Sequence, residues 1–130
     1  MSLSISSRPE RNLHVLTITG HLTLGPTLKT LQQTARTALD SGAPDGLILD
    51  VTGIRYADSA GLGELTIVYT MCTRRRCGLI LMGVPHQLRH LLELTRLDAL
   101  LPSAPDIDTA RRRMKELVSK LRGQDAAAAT

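Results

Sequence analysis

The sequence predicts an α/β fold with a mixed sheet of four to five strands and about four helices packed against that sheet. Short apolar runs with strand character alternate along the chain with segments whose apolar residues recur at helical spacing. Some of these runs are apolar throughout, which is typical of parallel strands buried on both faces. No internal repeat or polar linker divides the 130 residues. We therefore expect residues 1–123 to form one domain, followed by a frayed tail at residues 124–130.

The first two strands are predicted to form an antiparallel hairpin at the edge of the sheet. Residues 13–19 alternate in polarity and are rich in β-branched side chains, and residues 3–6 can pair with them. Residues 8–12 are predicted as the turn of this hairpin. A helix is then predicted over residues 27–39, because its leucines and alanines recur at helical spacing, and we expect it to end by Gly42.

The middle of the chain is predicted to contain the central strand and the helix that follows it. Residues 46–51 form a short apolar run bounded by turn residues, as expected for a strand buried on both faces. A short loop is expected next. A helix then runs from Ser59 to about residue 76, where an arginine triplet lies at the end of the helix dipole that favours cations.

The last part of the chain is predicted to add another strand and two helices. Residues 79–82 form a buried strand, and Pro85 opens the next helix. The sequence does not predict which secondary structure residues 97–101 form. A final helix is expected to begin with Asp108 or Thr109 as its cap and to end before Gly123.

Composition limits the compartment and the class of protein. The apolar fraction is 42% with two Tyr and no Phe or Trp, so the core should be aliphatic. Every apolar run is shorter than the roughly 18 residues that a membrane-spanning helix needs. The first residues lack the continuous apolar segment of a signal peptide, so we expect a cytoplasmic protein with no membrane insertion. Two cysteines, Cys72 and Cys77, are too few for a secreted disulfide framework.

The net charge of +4 raises the question of nucleic-acid binding. Much of the positive charge lies in two arginine triplets, residues 74–76 and 111–113. Proteins that bind single-stranded nucleic acid combine basic grooves with stacking aromatic rings. Only Tyr56 and Tyr69 are available for stacking here. Basic clusters near helix ends are commonly solvated faces, so no direct nucleic-acid partner is expected.

The most informative segment joins the central strand to the following helix. Asp58 and Ser59 are both favourable N-cap types, and the next amides would be donors without partners inside the helix. Such donors and the positive end of the helix dipole favour an anion. Gly61 and Gly63 each cost about 1 kcal/mol relative to Ala in a helix, so their presence needs a reason. They admit another backbone or a phosphate, or they only pack against the sheet; both interpretations stay open.

Other chemistries compete with an anion site at this helix start. Residues 57–61 differ from the nucleophile elbow G-x-S-x-G only at the first position, but the candidate bases His86 and His90 fall in or near a predicted helix. Residues 61–63 are G-L-G and lack the third glycine of G-x-G-x-x-G. No G-K-[ST] follows a glycine-rich loop. A zinc site could be formed from Cys72, Cys77 and the two histidines. An extended strand between the cysteines and the histidines would hold these ligands apart. We expect no metal and no cofactor.

Asp58-Ser59-Ala60-Gly61-Leu62-Gly63 resembles the D-S-x-G-L-G turn of STAS domains, specifically those of bacterial anti-sigma factor antagonists. In this family a buried strand leads into the turn, and the turn opens a helix. The similarity extends over about residues 3–121, and the turn is its most specific part. The resemblance implies a STAS-like fold and a non-enzymatic protein that binds an anti-sigma factor and so regulates transcription.

The resemblance also implies which residues carry the function. In the family, the serine at the position of Ser59 is phosphorylated by an anti-sigma factor of the serine kinase type, and a phosphatase reverses this. His21 and Thr23 stand where family members commonly have an acidic pair near the phosphorylation site. The expected partner-binding residues are Asp58, Ala60, Gly61, Gly63, Thr23 and His21.

Two alternatives to the antagonist role stay open at the level of sequence. The same fold serves as a STAS subunit of a lipid ABC transporter or of a larger stress-signalling complex. A small serine hydrolase with Ser59 as the nucleophile is the alternative from a different class. The sequence does not define the oligomeric state, the particular partner or the sigma factor.

Overall fold

A computed structural model describes residues 2–42 and 44–129, with side chains described up to residue 123. A five-stranded sheet has the order β1-β2-β3-β4-β5; β1 is antiparallel to β2, and the other neighbours are parallel. This confirms the predicted mixed α/β sheet. The strands are β1 Leu3–Glu10, β2 Leu13–Leu22, β3 Gly46–Ala57, β4 Gly78–Met82 and β5 Ser103–Ala104. The helices are α1 Thr30–Asp40, α2 Ser59–Arg74, α3 His86–Leu94 and α4 Ile107–Ala129, with a 3-10 turn at Leu97–Ala99.

The first hairpin is longer and its turn tighter than the sequence predicted. Residues 8–10, predicted as turn, belong to β1, and only Arg11 and Asn12 connect the strands. Arg11 adopts a φ of 58°, the left-handed conformation that such a short connection requires. Pro9 lies within β1, a strand at the edge of the sheet, where proline is tolerated.

Strand β3 extends six residues beyond its predicted end at residue 51, to Ala57. Its first part lies between β2 and β4, whereas β4 ends at Met82, opposite Asp50. The second part continues beside β2, where two register shifts accommodate the extra residues of β3. Pairing with β2 satisfies the backbone there, and Ile54 and Ala57 are buried. The predicted loop is therefore strand, and only Asp58 separates β3 from α2.

The two faces of the sheet are covered to different extents. Side chains of α1, α2 and α3 pack on one face in a large aliphatic core. On the other face α4 packs on a smaller cluster, formed with Leu13, Val15, Ile48 and Ile80. These strand residues lie in the first halves of β2 and β3 or in β4. Further along the strands, Thr19 and Thr52 on this second face are exposed.

The starts of α1 and α4 differ from the sequence prediction. Helix α1 begins at Thr30, because the preceding residues form tight turns with bonds from Leu28 to Gly25 and from Thr30 to Thr27. Asp106, not Asp108 or Thr109, caps α4 by accepting a hydrogen bond of 2.8 Å from the amide of Thr109. That cap was missed because Asp106 lies two residues after β5, a strand that the sequence did not reveal.

Helix α4 continues past Gly123, where the sequence predicted its end. A helical glycine costs only about 1 kcal/mol, and alanine, the best helix former, fills residues 126–129. The domain boundary at residue 123 and the frayed tail stay predictions, and Thr130 lies outside the described residues. Across the described part of the chain, every helix is too short or too polar to traverse a bilayer.

Candidate functional site at the start of α2

Asp58 is the N-cap of α2 and joins this helix to the loop after β2. Its backbone is extended, with φ −113° and ψ −176°. Oδ1 accepts a hydrogen bond of 2.9 Å from the amide of Gly61, and Oδ2 accepts one of 3.0 Å from the amide of Leu24. Partial burial acts to raise the pKa of Asp58, but bonds from the amides of Gly61, Leu24 and Ala60 hold it below its ordinary value.

The amides at the start of α2 are not free donors, contrary to the sequence prediction. The amide of Gly61 bonds to the Asp58 carboxylate, and the amide of Leu62 bonds to the Asp58 carbonyl at 3.0 Å. The carboxylate also attracts the amide of Ala60. The anion expected at this helix terminus is therefore the protein's own carboxylate.

Ser59 is the first residue of α2, and its side chain is exposed. Among the residues that the structure describes, no group forms a hydrogen bond with its hydroxyl. The hydroxyl is thus accessible to a modifying enzyme. A phosphate added there would lie next to the ionised carboxylate of Asp58, so the two groups together would concentrate negative charge at one point of the surface.

The two glycines of the turn have different surroundings. Gly61 is buried, and a Cβ on this residue would lie 1.9 Å from the carbonyl oxygen of Leu22. Gly63 is exposed, and a Cβ there would meet no atom within 4 Å. The backbone that approaches Gly61 is therefore that of β2. Of the two glycines predicted as partner contacts, only Gly63 offers surface to another molecule.

His21 and Thr23 lie on either side of Leu22, at the end of β2 that contacts α2. The carbonyl of Leu22 accepts the amide of Asp58 at 3.2 Å and faces Gly61. Both His21 and Thr23 are partly exposed. The His21 ring pairs with that of Tyr56, with centroids 6.3 Å apart and planes tilted by 41°. The structure thus brings the two residues to the edge of the sheet where α2 begins.

Two residues of this region escaped the sequence analysis. Leu24 is 79% exposed although it is a large apolar residue. An apolar residue among turn-forming neighbours, with no helical or strand periodicity, was the signal that could have revealed it. The carboxamide of Gln87 on α3 donates to the carbonyl of Ala57 and accepts from its amide, each at 2.9 Å. It continues the hydrogen-bonding of β3 where β4 has ended, and no local pattern indicates this.

The geometry of the described residues supports neither a serine hydrolase site nor a metal site. His86 and His90 are exposed on α3, and neither forms a hydrogen bond with Ser59 among the described residues. Cys72 and Cys77 are buried, and burial raises the pKa of the Cys72 thiol to about 12. In the described part of the chain, no group of three or more histidine, cysteine or carboxylate side chains is placed to hold a metal ion.

The fold and the helix-opening turn define a STAS-type α/β protein. The family model described as "Mlab, STAS domain" matches residues 6–102, so this chain belongs to that family of STAS domains. A comparison with curated proteins found no match.

Several solved structures share this fold. An anti-sigma factor antagonist from Mycobacterium paratuberculosis has 21% sequence identity and a TM-score of 0.75, with 88% of this chain and 95% of that one covered. A putative anti-sigma factor antagonist from Thermotoga maritima has 15% identity and a TM-score of 0.71, with 85% and 94% covered. A sulfate transporter family protein from Wolinella succinogenes has 22% identity and a TM-score of 0.68, with 85% and 90% covered. At these identities the likeness shows the fold.

Proposed function

We propose that this protein is a cytoplasmic anti-sigma factor antagonist, a protein-binding module whose affinity for its partner is switched by phosphorylation of Ser59. The observation that carries the proposal is the exposed, unbonded hydroxyl of Ser59 at the first position of α2. The fold supports it, because an anti-sigma factor antagonist from Mycobacterium paratuberculosis shares the architecture. In the unmodified state the protein sequesters the anti-sigma factor, and the sigma factor is released to act in transcription.

The binding surface in this proposal is the outer side of the α2 start and the loop after β2. Ser59 and Gly63 are exposed on the helix, and Leu24 extends from the neighbouring loop. The small side chains let a partner backbone come close, while Leu24 supplies apolar area. Thr23 and His21 border this surface. Asp58 and Gly61 act from beneath it: Asp58 links Leu24 to α2, and Gly61 lets α2 approach Leu22.

Phosphorylation disrupts this surface through charge. A phosphoserine adds about −1.5 to −2 charge and three acceptor oxygens. The ionised Asp58 lies beneath this surface and adds to the negative charge, and a partner would have to desolvate the phosphate dianion. Burying such charge without a matched cation costs several kcal/mol, so affinity falls strongly. The domain itself stays folded, because the phosphate projects into water at the end of the helix that favours anions.

Mass spectrometry with defined variants tests the proposal. The protein is incubated with ATP and a kinase-type anti-sigma factor from the same organism, and its intact mass is measured. We expect one added phosphate on the wild type and on Thr23→Val, and none on Ser59→Ala. A phosphatase from the same system should remove it. Modification of Ser59→Ala to the wild-type extent would show that Ser59 is not the acceptor.

Binding measurements test the switch separately from the modification. By calorimetry, we expect Ser59→Ala to bind the anti-sigma factor as the wild type does and Ser59→Asp to bind at least about tenfold more weakly. Wild-type affinity in Ser59→Asp would contradict the electrostatic mechanism even if Ser59 were phosphorylated.

A second candidate function keeps the fold and changes the partner. The fold likeness to a sulfate transporter family protein supports a role as a STAS subunit of a transporter or of a larger signalling complex. Binding to the ATPase of a lipid transporter from the same organism, with no binding to any anti-sigma factor, would favour this role. The two candidates are also separated by Ser59→Asp, which should weaken only the contact with an anti-sigma factor.

A further inference from the structure

A groove of about 440 Å³ lies at the carboxyl ends of β4 and β5, apart from the Ser59 surface. The two strands are joined there by a hydrogen bond of 2.9 Å from the amide of Gly83 to the carbonyl of Ala104. Its wall residues come from the ends of both strands and from α3 and α4. They are Gly83, Val84, Arg89, Ser103, Pro105 and Arg113, together with Ala104.

Two arginines from different helices converge on one residue of this groove. Nη2 of Arg89 on α3 donates to Oγ of Ser103 at 2.8 Å. Arg113 on α4 donates through Nη1 to the carbonyl oxygen of the same Ser103. These bonds hold both guanidinium groups beside the groove. Ser103 thus anchors two positive charges that still repel each other.

Among the described side chains, no carboxylate forms an ion pair with either Arg89 or Arg113. Asp106, the carboxylate nearest to Ser103 along the chain, caps α4 through the amide of Thr109. A guanidinium has five NH donors, so each arginine retains several after its bond to Ser103. The groove therefore combines two uncompensated positive charges with unused donors.

We propose that this groove binds a phosphate group, either free inorganic phosphate or the phosphate of a small monoester. Two guanidinium groups match the charge of a phosphate dianion, and their planar donor forks suit its oxygens better than lysine ammonium groups would. The hydroxyl of Ser103 accepts from Arg89 and can still donate its own hydrogen.

Titration of the protein with inorganic phosphate, followed by NMR of backbone amides, tests this site directly. We expect saturable shifts at Gly83 and Ala104. Arg89→Gln and Arg113→Gln should each weaken binding by at least about tenfold, because each removes a charge-assisted hydrogen bond. Arg36→Gln is the matched control, since it removes the same charge from an exposed position of α1. That control should keep wild-type affinity, as should Ser59→Ala, which separates this site from the proposed switch.

A second titration with glycerol 3-phosphate identifies the form of the ligand. Tighter binding than inorganic phosphate would assign the groove to a phosphate monoester, and equal or weaker binding would assign it to free phosphate. Arg113→Gln keeps the test decisive if Arg89→Gln does not fold, because Arg113 is exposed. Unchanged affinity in Arg113→Gln, an equal loss in Arg36→Gln, or the absence of saturable shifts with both probes would overturn the proposal.

Discussion

The inner side of the first turn of α2 faces the end of β2 and the loop after it, whereas the outer side faces solvent. On the inner side, Asp58 binds the amides of Gly61 and Leu24, and the carbonyl of Leu22 occupies the space that a Cβ on Gly61 would need. On the outer side, Ser59 and Gly63 are exposed, and a Cβ on Gly63 would touch nothing within 4 Å.

The D-S-x-G-L-G motif therefore contains residues that the fold requires and residues that it does not require. The aspartate and the first glycine are required by the fold, because they cap α2 and let it approach β2. The fold places no comparable demand on the serine or the second glycine. A functional explanation is therefore needed for the outer residues, whereas the inner ones are explained by packing and hydrogen bonding.

Replacing Gly61 with Ala should produce the largest effect. The added Cβ would overlap the Leu22 carbonyl oxygen, so α2 must shift and its cap must distort. We expect a loss of about 3 kcal/mol in the free energy of unfolding, measured by urea denaturation. Gly63→Ala is the matched control and should be stabilising by up to about 1 kcal/mol, because alanine is the better helix former. Equal effects of the two substitutions would refute the distinction between the sides.

Replacing Asp58 with Ala should have an intermediate effect. It removes the acceptor for the amides of Gly61 and Leu24, and an N-cap of this kind contributes about 1–2 kcal/mol. Urea denaturation measures the loss, and faster amide exchange at Leu24 would show that the loop is released. Asp108→Ala is the control, since it removes the same charge from an exposed residue of α4 that caps nothing. Comparable losses in both variants would mean that charge, not capping, is responsible.

The contribution of Asp58 should also depend on pH in a defined direction. Its pKa is lower in the folded protein than in the unfolded chain, so the ionised group stabilises the fold at pH values above roughly 4, the ordinary value of an aspartate. As pH falls through the folded pKa, protonation removes this stabilisation. The stability difference between the wild type and Asp58→Ala should therefore narrow in acid. A difference that stays constant from pH 7 to the acid range would contradict this.

Replacing Ser59 with Asp should have the smallest effect on stability. The side chain is exposed and lies at the end of the helix that favours anions, although Asp58 next to it repels the added charge. We expect the free energy of unfolding to change by less than about 0.5 kcal/mol. A loss above 1 kcal/mol in urea denaturation would place Ser59 with the inner residues and weaken its assignment as a switch.

The sequence was a good guide wherever a feature depends on neighbours along the chain. Apolar spacing predicted the central strand and its helix, and the residue types at 58 and 59 predicted where α2 begins. The prediction was less successful for β5, whose two residues form no pattern of their own. It also missed the second half of β3, because pairing with β2 rather than local periodicity extends that strand.

By itself, then, the sequence determined the fold class, the order of the main elements, the aliphatic core and the position of Ser59 at the start of a helix. Only the tertiary structure decided that Gly61 faces Leu22 while Gly63 faces solvent, and that Asp58 already occupies the amides of the helix end. It alone brought Arg89 and Arg113 together at Ser103. The physical reason is that periodicity and capping act over a few residues, whereas these contacts join segments that only the folded sheet brings together.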